Sequence, residues 1–262
     1  MVTPLDPAVA GKAPVRKGLF IGEIVGPAGA GKTTLARALQ KQNGRLLVGT
    51  HPDYKKAANF PLFLSNTLLM LPMLSRLYLR MRDQAACVGK RQLAWLVILN
   101  GWPNHLQRWL RRGEGSALLD QGPVFLIATL YKLGPACLRD PSVEYWWKKT
   151  CARWAATLDF VVYLDAPDES LVRRIRTRGS GHEMKDRETA DVVKFLATYR
   201  SAYEGVLHLL TSANSRINVI RFDTSLNSVE EIVRRVMEEY DLGAMAPAPK
   251  AVGPSQLAGR EV

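Results

Sequence analysis

The residues best able to do chemistry in this chain stand together near its start. Gly26-Pro27-Ala28-Gly29-Ala30-Gly31-Lys32-Thr33, followed by Thr34, meets G-x-x-x-x-G-K-[ST] at every fixed position. Glycines let the backbone curl round a phosphate chain and turn several N–H groups inward. The start of the following helix adds a partial positive charge. Lys32 is then placed to reach the β- and γ-phosphates, and Thr33 to offer a hydroxyl to Mg2+. An apolar run precedes the motif and a helical pattern (Leu35, Ala38, Leu39) follows it, the context such a loop requires. The ligand implied is a purine nucleoside triphosphate, ATP, with Mg2+.

A phosphate loop of this kind needs a carboxylate at the end of a neighbouring strand to hold the metal or its water. Ala117-Leu118-Leu119-Asp120 and Val161-Val162-Tyr163-Leu164-Asp165 are both apolar runs ending in aspartate. Asp165 leads into Ala166-Pro167-Asp168-Glu169, a turn and helix start with Asp168 as a cap. Asp120 leads into Gln121-Gly122-Pro123, a tight loop that leaves its carboxylate free in a cleft. We assign the metal to Thr33 and Asp120, and read Asp165 as a cap or turn residue.

Further on, Leu171-Val172-Arg173-Arg174-Ile175-Arg176-Thr177-Arg178 carries four arginines, followed by Gly179-Ser180-Gly181-His182. On a helix Arg174 and Arg178 share a face. Two forked guanidiniums beside a glycine hinge suit a lid over 169–190 that neutralises charge on a transferring phosphoryl group.

Taken together, the P-loop, the strand-Asp120 loop, YLDAPDESLVRRIRTRG, Asp186-Arg187-Glu188 and Tyr199 resemble the thymidylate kinase and deoxynucleoside kinase group of the nucleoside-monophosphate kinase-like family. FDTSLNSVEEIVRRV resembles that family's last strand, adenine-side loop and final helix. The likeness covers 19–50 and 116–240. It implies that Lys32 and Thr33 bind phosphate and magnesium, that Asp120 serves the metal and that Arg174 and Arg178 are lid arginines. It also implies that Ser225, Leu226 and Asn227 line the adenine. Members of the group place an arginine directly after the strand-3 acid, where this chain has Gln121. Near the second strand, His51 or Asp53 is a candidate for accepting a hydroxyl proton from the acceptor; a polar turn at Pro52-Asp53 is the plainer alternative.

The elements that must position these groups alternate. Strand-like runs at 19–25, 45–48, 117–119, 160–164 and 217–222 are separated by helical periodicity at 33–42, much of 60–112, 142–157, 169–178, 188–210 and 228–240. That pattern predicts an α/β fold: a P-loop NTPase-type three-layer sandwich with a mainly parallel five-stranded sheet. Ligands in such folds sit at the carboxyl ends of the strands. We expect one folded domain over 18–242, with 51–115 a helical acceptor or insert region. A flexible 1–17 and a disordered tail at 243–262, rich in Ala, Pro and Gly, flank it.

The 262 residues, 47% hydrophobic and 23% charged, exclude disordered, collagen-like and disulfide-scaffold classes. Cys87, Cys137 and Cys151 are too few and too widely spaced for a zinc site, and a reducing, cytoplasmic setting fits them. Of the net charge of +12, +7 falls within 60–112, where eight basic residues meet only Asp83. The same segment holds PLFLSNTLLMLPMLSRLYL and LAWLVILNGW, readable as a buried helical pair or as an interfacial element touching a membrane. Trp102, Trp109, Trp146 and Trp147 fall at helical spacing with aliphatics, a core pattern rather than a set of nucleic-acid stacking platforms. The leading expectation is an ATP-dependent kinase acting on a small-molecule phosphoryl acceptor. The competing class is a nucleotide-controlled protein that binds a membrane or macromolecular partner.

Overall fold

Among the described residues, five apolar runs form one sheet. These are β1 (Ile21–Val25), β2 (Leu47–Gly49), β3 (Ala117–Asp120), β4 (Phe160–Asp165) and β5 (Asn218–Asp223). Their order is β2-β3-β1-β4-β5, and every pairing is parallel. The structure, a computed structural model, describes residues 19–239 apart from 45, 50–51, 53–59, 81–87, 113–114 and 180. The two terminal segments, His51 and Asp53 therefore lie outside the described residues.

Among the described residues eight α-helices cover the sheet: α1 (Lys32–Gln42), α2 (Phe60–Arg80), α3 (Lys90–Arg111), α4 (Pro123–Ile127), α5 (Pro141–Thr157), α6 (Asp168–Thr177), α7 (Thr189–Ala213) and α8 (Val229–Glu239). On one face Ile24, Leu118 and Val162 pack with Leu35 of α1, Leu171 of α6 and Val236 of α8. On the other, Ile21, Leu119 and Val161 meet Leu99 of α3, Trp154 of α5 and Val206 of α7. Cover on both faces explains why β1 is buried throughout and reads as a nearly continuous apolar run. The three-layer parallel sandwich read from the sequence is the observed fold.

Among the described residues of 60–112 there are two long helices, with Met70 and Leu77 of α2 and Trp95 through Leu99, Trp102 and Leu106 of α3 in the core. Asn66 of α2 seats against Gly101 of α3, where any side chain would overlap it. Asn100 Nδ2 donates to Asn66 Oδ1 at 3.3 Å, and Arg153 of α5 donates to Asn100 Oδ1 at 2.9 Å, joining three helices through a polar seam. Trp102 and Trp147 are buried, and edge-to-face contacts join Trp102 to Trp154 and Trp146 to Trp147. Among the described residues no helix is long and apolar enough to cross a membrane.

Two differences from the sequence expectations stand out. The stretch after Asp120, read only as a tight loop, forms α4, then a π-helical turn (Ala128–Lys132) and a 3-10 turn (Ala136–Arg139). Nearly every residue of α4 is buried, so its apolar positions show no amphipathic period. The second concerns cysteine. Cys151 is a free buried thiol, but Cys137 is disulfide-bonded, against the reduced state expected of all three.

Trp154 is fully buried and its indole N–H donates to the carbonyl of Leu99 at 3.0 Å. Trp154→Ala should lower unfolding free energy by ~3–5 kcal/mol. Tyr145→Ala, at a site 76% exposed on the same helix, should change it by about 0.5 kcal/mol or less. Urea unfolding curves of the two variants make the comparison.

Candidate functional site

β1 delivers the chain into the phosphate loop at Gly26, and left-handed backbone at Gly29 (φ 83°) and Gly31 (φ 90°) shapes the curl before α1 begins at Lys32. Gly26 lies against the carbonyl of Leu164 in β4, leaving no room for a Cβ. The Lys32 ammonium bends back over the loop, donating to the carbonyls of Gly26 (2.7 Å) and Pro27 (2.8 Å). Burial, helped by the Arg178 charge and opposed by Asp120, pulls its pKa down to about 8. The loop's own carbonyls thus hold this cation.

Thr33 Oγ1 donates to Asp120 Oδ2 at 3.0 Å. The parallel register of β1 and β3 sets Ile24 opposite Asp120, so the strand-3 acid emerges beside the loop. A hydroxyl and a carboxylate in contact are hard oxygen donors, suited to Mg2+, which takes one or two carboxylates and completes its shell with water and substrate phosphate. Among the described residues no group of three or more His, Cys, Asp or Glu forms a metal cage. The Thr33–Asp120 pair does not need one.

The other candidate acid is engaged elsewhere. Asp165 receives Arg200 Nε at 2.8 Å and Nη2 at 3.0 Å, and also the backbone N–H of Ala166 at 2.8 Å. The same guanidinium bonds Asp168 (2.5 Å) and the Ala166 carbonyl (2.9 Å), tying the end of β4 to α6 and α7. Asp165 is thus a structural acid, and Asp120 faces the loop. This is a P-loop α/β fold.

No family model matches the chain, and no curated protein matches it in sequence. Among solved structures, it is similar to a thymidylate kinase from Candida albicans at 13% identity, covering 84% of this chain and 90% of that one with a TM-score of 0.49. It is also similar to a deoxyadenosine kinase from M. mycoides with bound dATP, at 16% identity, covering 84% and 98% with a TM-score of 0.46.

The P-loop opens onto a cleft of about 650 Å³ that also reaches Asp120, Gln121, Arg174 and Arg178. The two arginines of the sequence reading are placed differently. Arg174 is tied down: Nη1 donates to Thr224 Oγ1 (2.7 Å) and Gly29 O (3.4 Å), and Nη2 to Thr224 O (2.9 Å). It therefore staples the P-loop to the turn after β5. Arg178 lies just beyond the last residue of α6, exposed, and shares the cleft with Lys32. Of the three adenine-side candidates, Asn227 lines the cleft, Leu226 is 81% exposed, and Ser225 bonds back to Asp223 at 2.5 Å. Thr224, one residue earlier, lines the cleft instead.

The cleft also has an aromatic lining, Phe125 of α4 with Phe195, Tyr199 and Tyr203 of α7, and takes in Arg91, His182 and Glu183. Arg91 lies over the ring of Trp95 at 4.4 Å. His182 is held below its ordinary pKa by burial, and the Arg178 and Lys32 charges push the same way against Glu183. Gln121 adopts a left-handed backbone (φ 62°), rare outside glycine, as it carries the chain from Asp120 to Gly122.

Glu23, in the middle of β1, has no exposed surface, and its carboxylate accepts the backbone N–H groups of Val124 (2.8 Å) and Phe125 (3.1 Å). Burial raises its pKa from 4.5 to about 8; the two N–H donors oppose that rise and the Asp120 charge adds to it. Leaving those N–H groups without an acceptor would cost about 1–3 kcal/mol each. The sequence carried a signal for this residue, a charge inside an apolar strand, where an acid almost never sits unpaired.

Between pH 4.5 and about 8 the folded state holds a proton on Glu23 that the unfolded chain releases. This contribution to stability is complete below pH 4.5 and declines as pH rises toward 8. Urea unfolding at pH 5, 6.5 and 8 should show the decline in wild type, and Glu23→Gln should flatten it. An unchanged slope in the variant would refute the assignment.

Proposed function

We propose that the chain is an ATP-dependent phosphotransferase of the thymidylate and deoxynucleoside kinase type, moving the γ-phosphate of ATP to a hydroxyl or phosphate on a small acceptor. The observation that carries the reading is the Thr33–Asp120 contact of 3.0 Å at the mouth of the P-loop, opening into a cleft with room beyond it. In this account residues 26–34 cradle the phosphates, and Lys32 leaves the Gly26 and Pro27 carbonyls to bind the β- and γ-oxygens. Mg2+, when held by Thr33 and Asp120, neutralises charge that develops on those oxygens. Arg178 faces the transferring group, Arg174 fixes the loop against Thr224, and Asn227 lines the base end. The aromatic wall and Gln121 receive the acceptor and align its oxygen with the γ-phosphorus. His51 and Asp53 are the sequence-based candidates for taking the acceptor's proton.

A second reading, nucleotide control of a membrane-surface contact, is favoured by one observation. Leu64, Leu68, Leu69 and Leu71 of α2 are 48%, 55%, 74% and 50% exposed, in a segment rich in arginine. Apolar residues flanked by cations suit an anionic lipid surface. It predicts salt-sensitive binding to anionic vesicles and no transfer to any small acceptor.

ADP formation with Mg2+ should rise sharply with one class among nucleosides, nucleoside monophosphates, sugars and prenyl alcohols. Lys32→Ala should lower kcat by ~10²–10³-fold, the scale of losing a charge-stabilising donor. Near-normal turnover in that variant, or ATP binding with no acceptor-stimulated turnover, would overturn the kinase reading.

A further inference from the structure

Glu23 is the only acidic or basic side chain among the described residues that is fully buried, and the transfer steps above do not use it. Its placement is specific. It sits on β1 one residue before Ile24, the register partner of Asp120. Its oxygens accept from the N–H groups of Val124 and Phe125, at the start of the helix that follows β3. The turn lies directly on it: a Cβ at Gly122 would stand 2.8 Å from the Glu23 carboxyl carbon and 3.0 Å from Oε2.

The first N–H groups of a helix have no acceptor within the helix. Here one carboxyl group supplies both acceptors, and it is anchored in the central strand rather than in the loop. The turn it holds contains the left-handed Gln121, begins at Asp120 and ends at Phe125, which lines the cleft. We propose that Glu23 is a positioning residue. It clamps the 121–125 turn to β1, sets the Asp120 carboxylate against Thr33, and fixes Phe125 in the acceptor wall. The inference rests on the reading of Thr33 and Asp120 as the metal pair. Groups that orient a metal ligand without touching the ion typically change metal affinity by ~10–100-fold when removed.

The test reads metal-dependent nucleotide binding and needs no acceptor. A fluorescent ATP analogue is titrated into the full chain with Mg2+ and with EDTA, and the ratio of the two dissociation constants is taken. Wild type should show tightening by Mg2+, and Asp120→Asn should abolish it. Glu23→Leu should lose ~10-fold of the tightening while its EDTA affinity stays at the wild-type value. Glu23→Gln, which keeps one acceptor oxygen, should fall between them. Gly122→Ala, whose Cβ would press on both the Glu23 carboxyl and Leu119, should reproduce the loss; Glu23→Gln decides the matter if Glu23→Leu does not fold. Full Mg2+ tightening in the Glu23 and Gly122 variants, with loss confined to Asp120→Asn, would overturn the inference. No tightening in wild type would remove the metal pair and this inference with it. Tightening as expected but no transfer to any acceptor would remove the kinase reading alone.

Discussion

Parallel pairing of β1 with β3 sets Ile24 opposite Asp120, and β1 turns into the phosphate loop two residues later. That register brings a threonine and an aspartate 87 positions apart into contact at 3.0 Å. The remaining architecture serves to hold this register. β4 pairs along the other edge of β1 and offers its Leu164 carbonyl to the bare backbone of Gly26. The end of β4 is in turn locked to α6 and α7 by Arg200. Arg174 closes the far side by joining Gly29 to Thr224. The cleft is therefore bounded by groups positioned by sheet register together with the left-handed turns at Gly29, Gly31 and Gln121.

Electrostatics in the cleft follow from that geometry. Lys32, Arg178 and the Arg174 staple concentrate positive charge around the loop, while Asp120 and Glu183 are the acids that line it. Lys32 sits well below the usual lysine range and His182 below the usual histidine range, both because burial and neighbouring cations disfavour a further charge. A polyanion entering this site would relieve repulsion among the cations. The field thus favours a phosphate chain before any specific contact is made.

Local features were the legible ones. The phosphate loop could be read because its glycines, lysine and threonine are consecutive and its flanking strand and helix have clear periods. That Asp120 rather than Asp165 faces the phosphate loop was suggested by Gln121-Gly122-Pro123, since a tight turn leaves the preceding carboxylate uncommitted. Its counterpart, the Arg200 network on Asp165, was not, because the partners lie 35 positions apart and nothing in the pattern pairs them. Glu23 was conspicuous as a charge in a core strand, but its partners stand 101 and 102 positions away. The paired-arginine reading assumed that α6 continued through Arg178. The helix stops at Thr177, so Arg174 and Arg178 reach the cleft from different backbone states. In the long apolar segment, Met70, Leu77 and Trp95 follow helical burial, whereas the exposed leucines of α2 have no counterpart in a simple core pattern.

The contact between Thr33 and Asp120 carries the account, and a double-mutant cycle on Mg2+-dependent ATP affinity tests it most directly. If both oxygens belong to one ion's surroundings, Thr33→Ala and Asp120→Asn should each weaken the Mg2+ complex, and the double variant should be little worse than the poorer single one. Additive losses, or Mg2+-ATP affinity unchanged by either substitution, would contradict a shared metal site at the mouth of the P-loop.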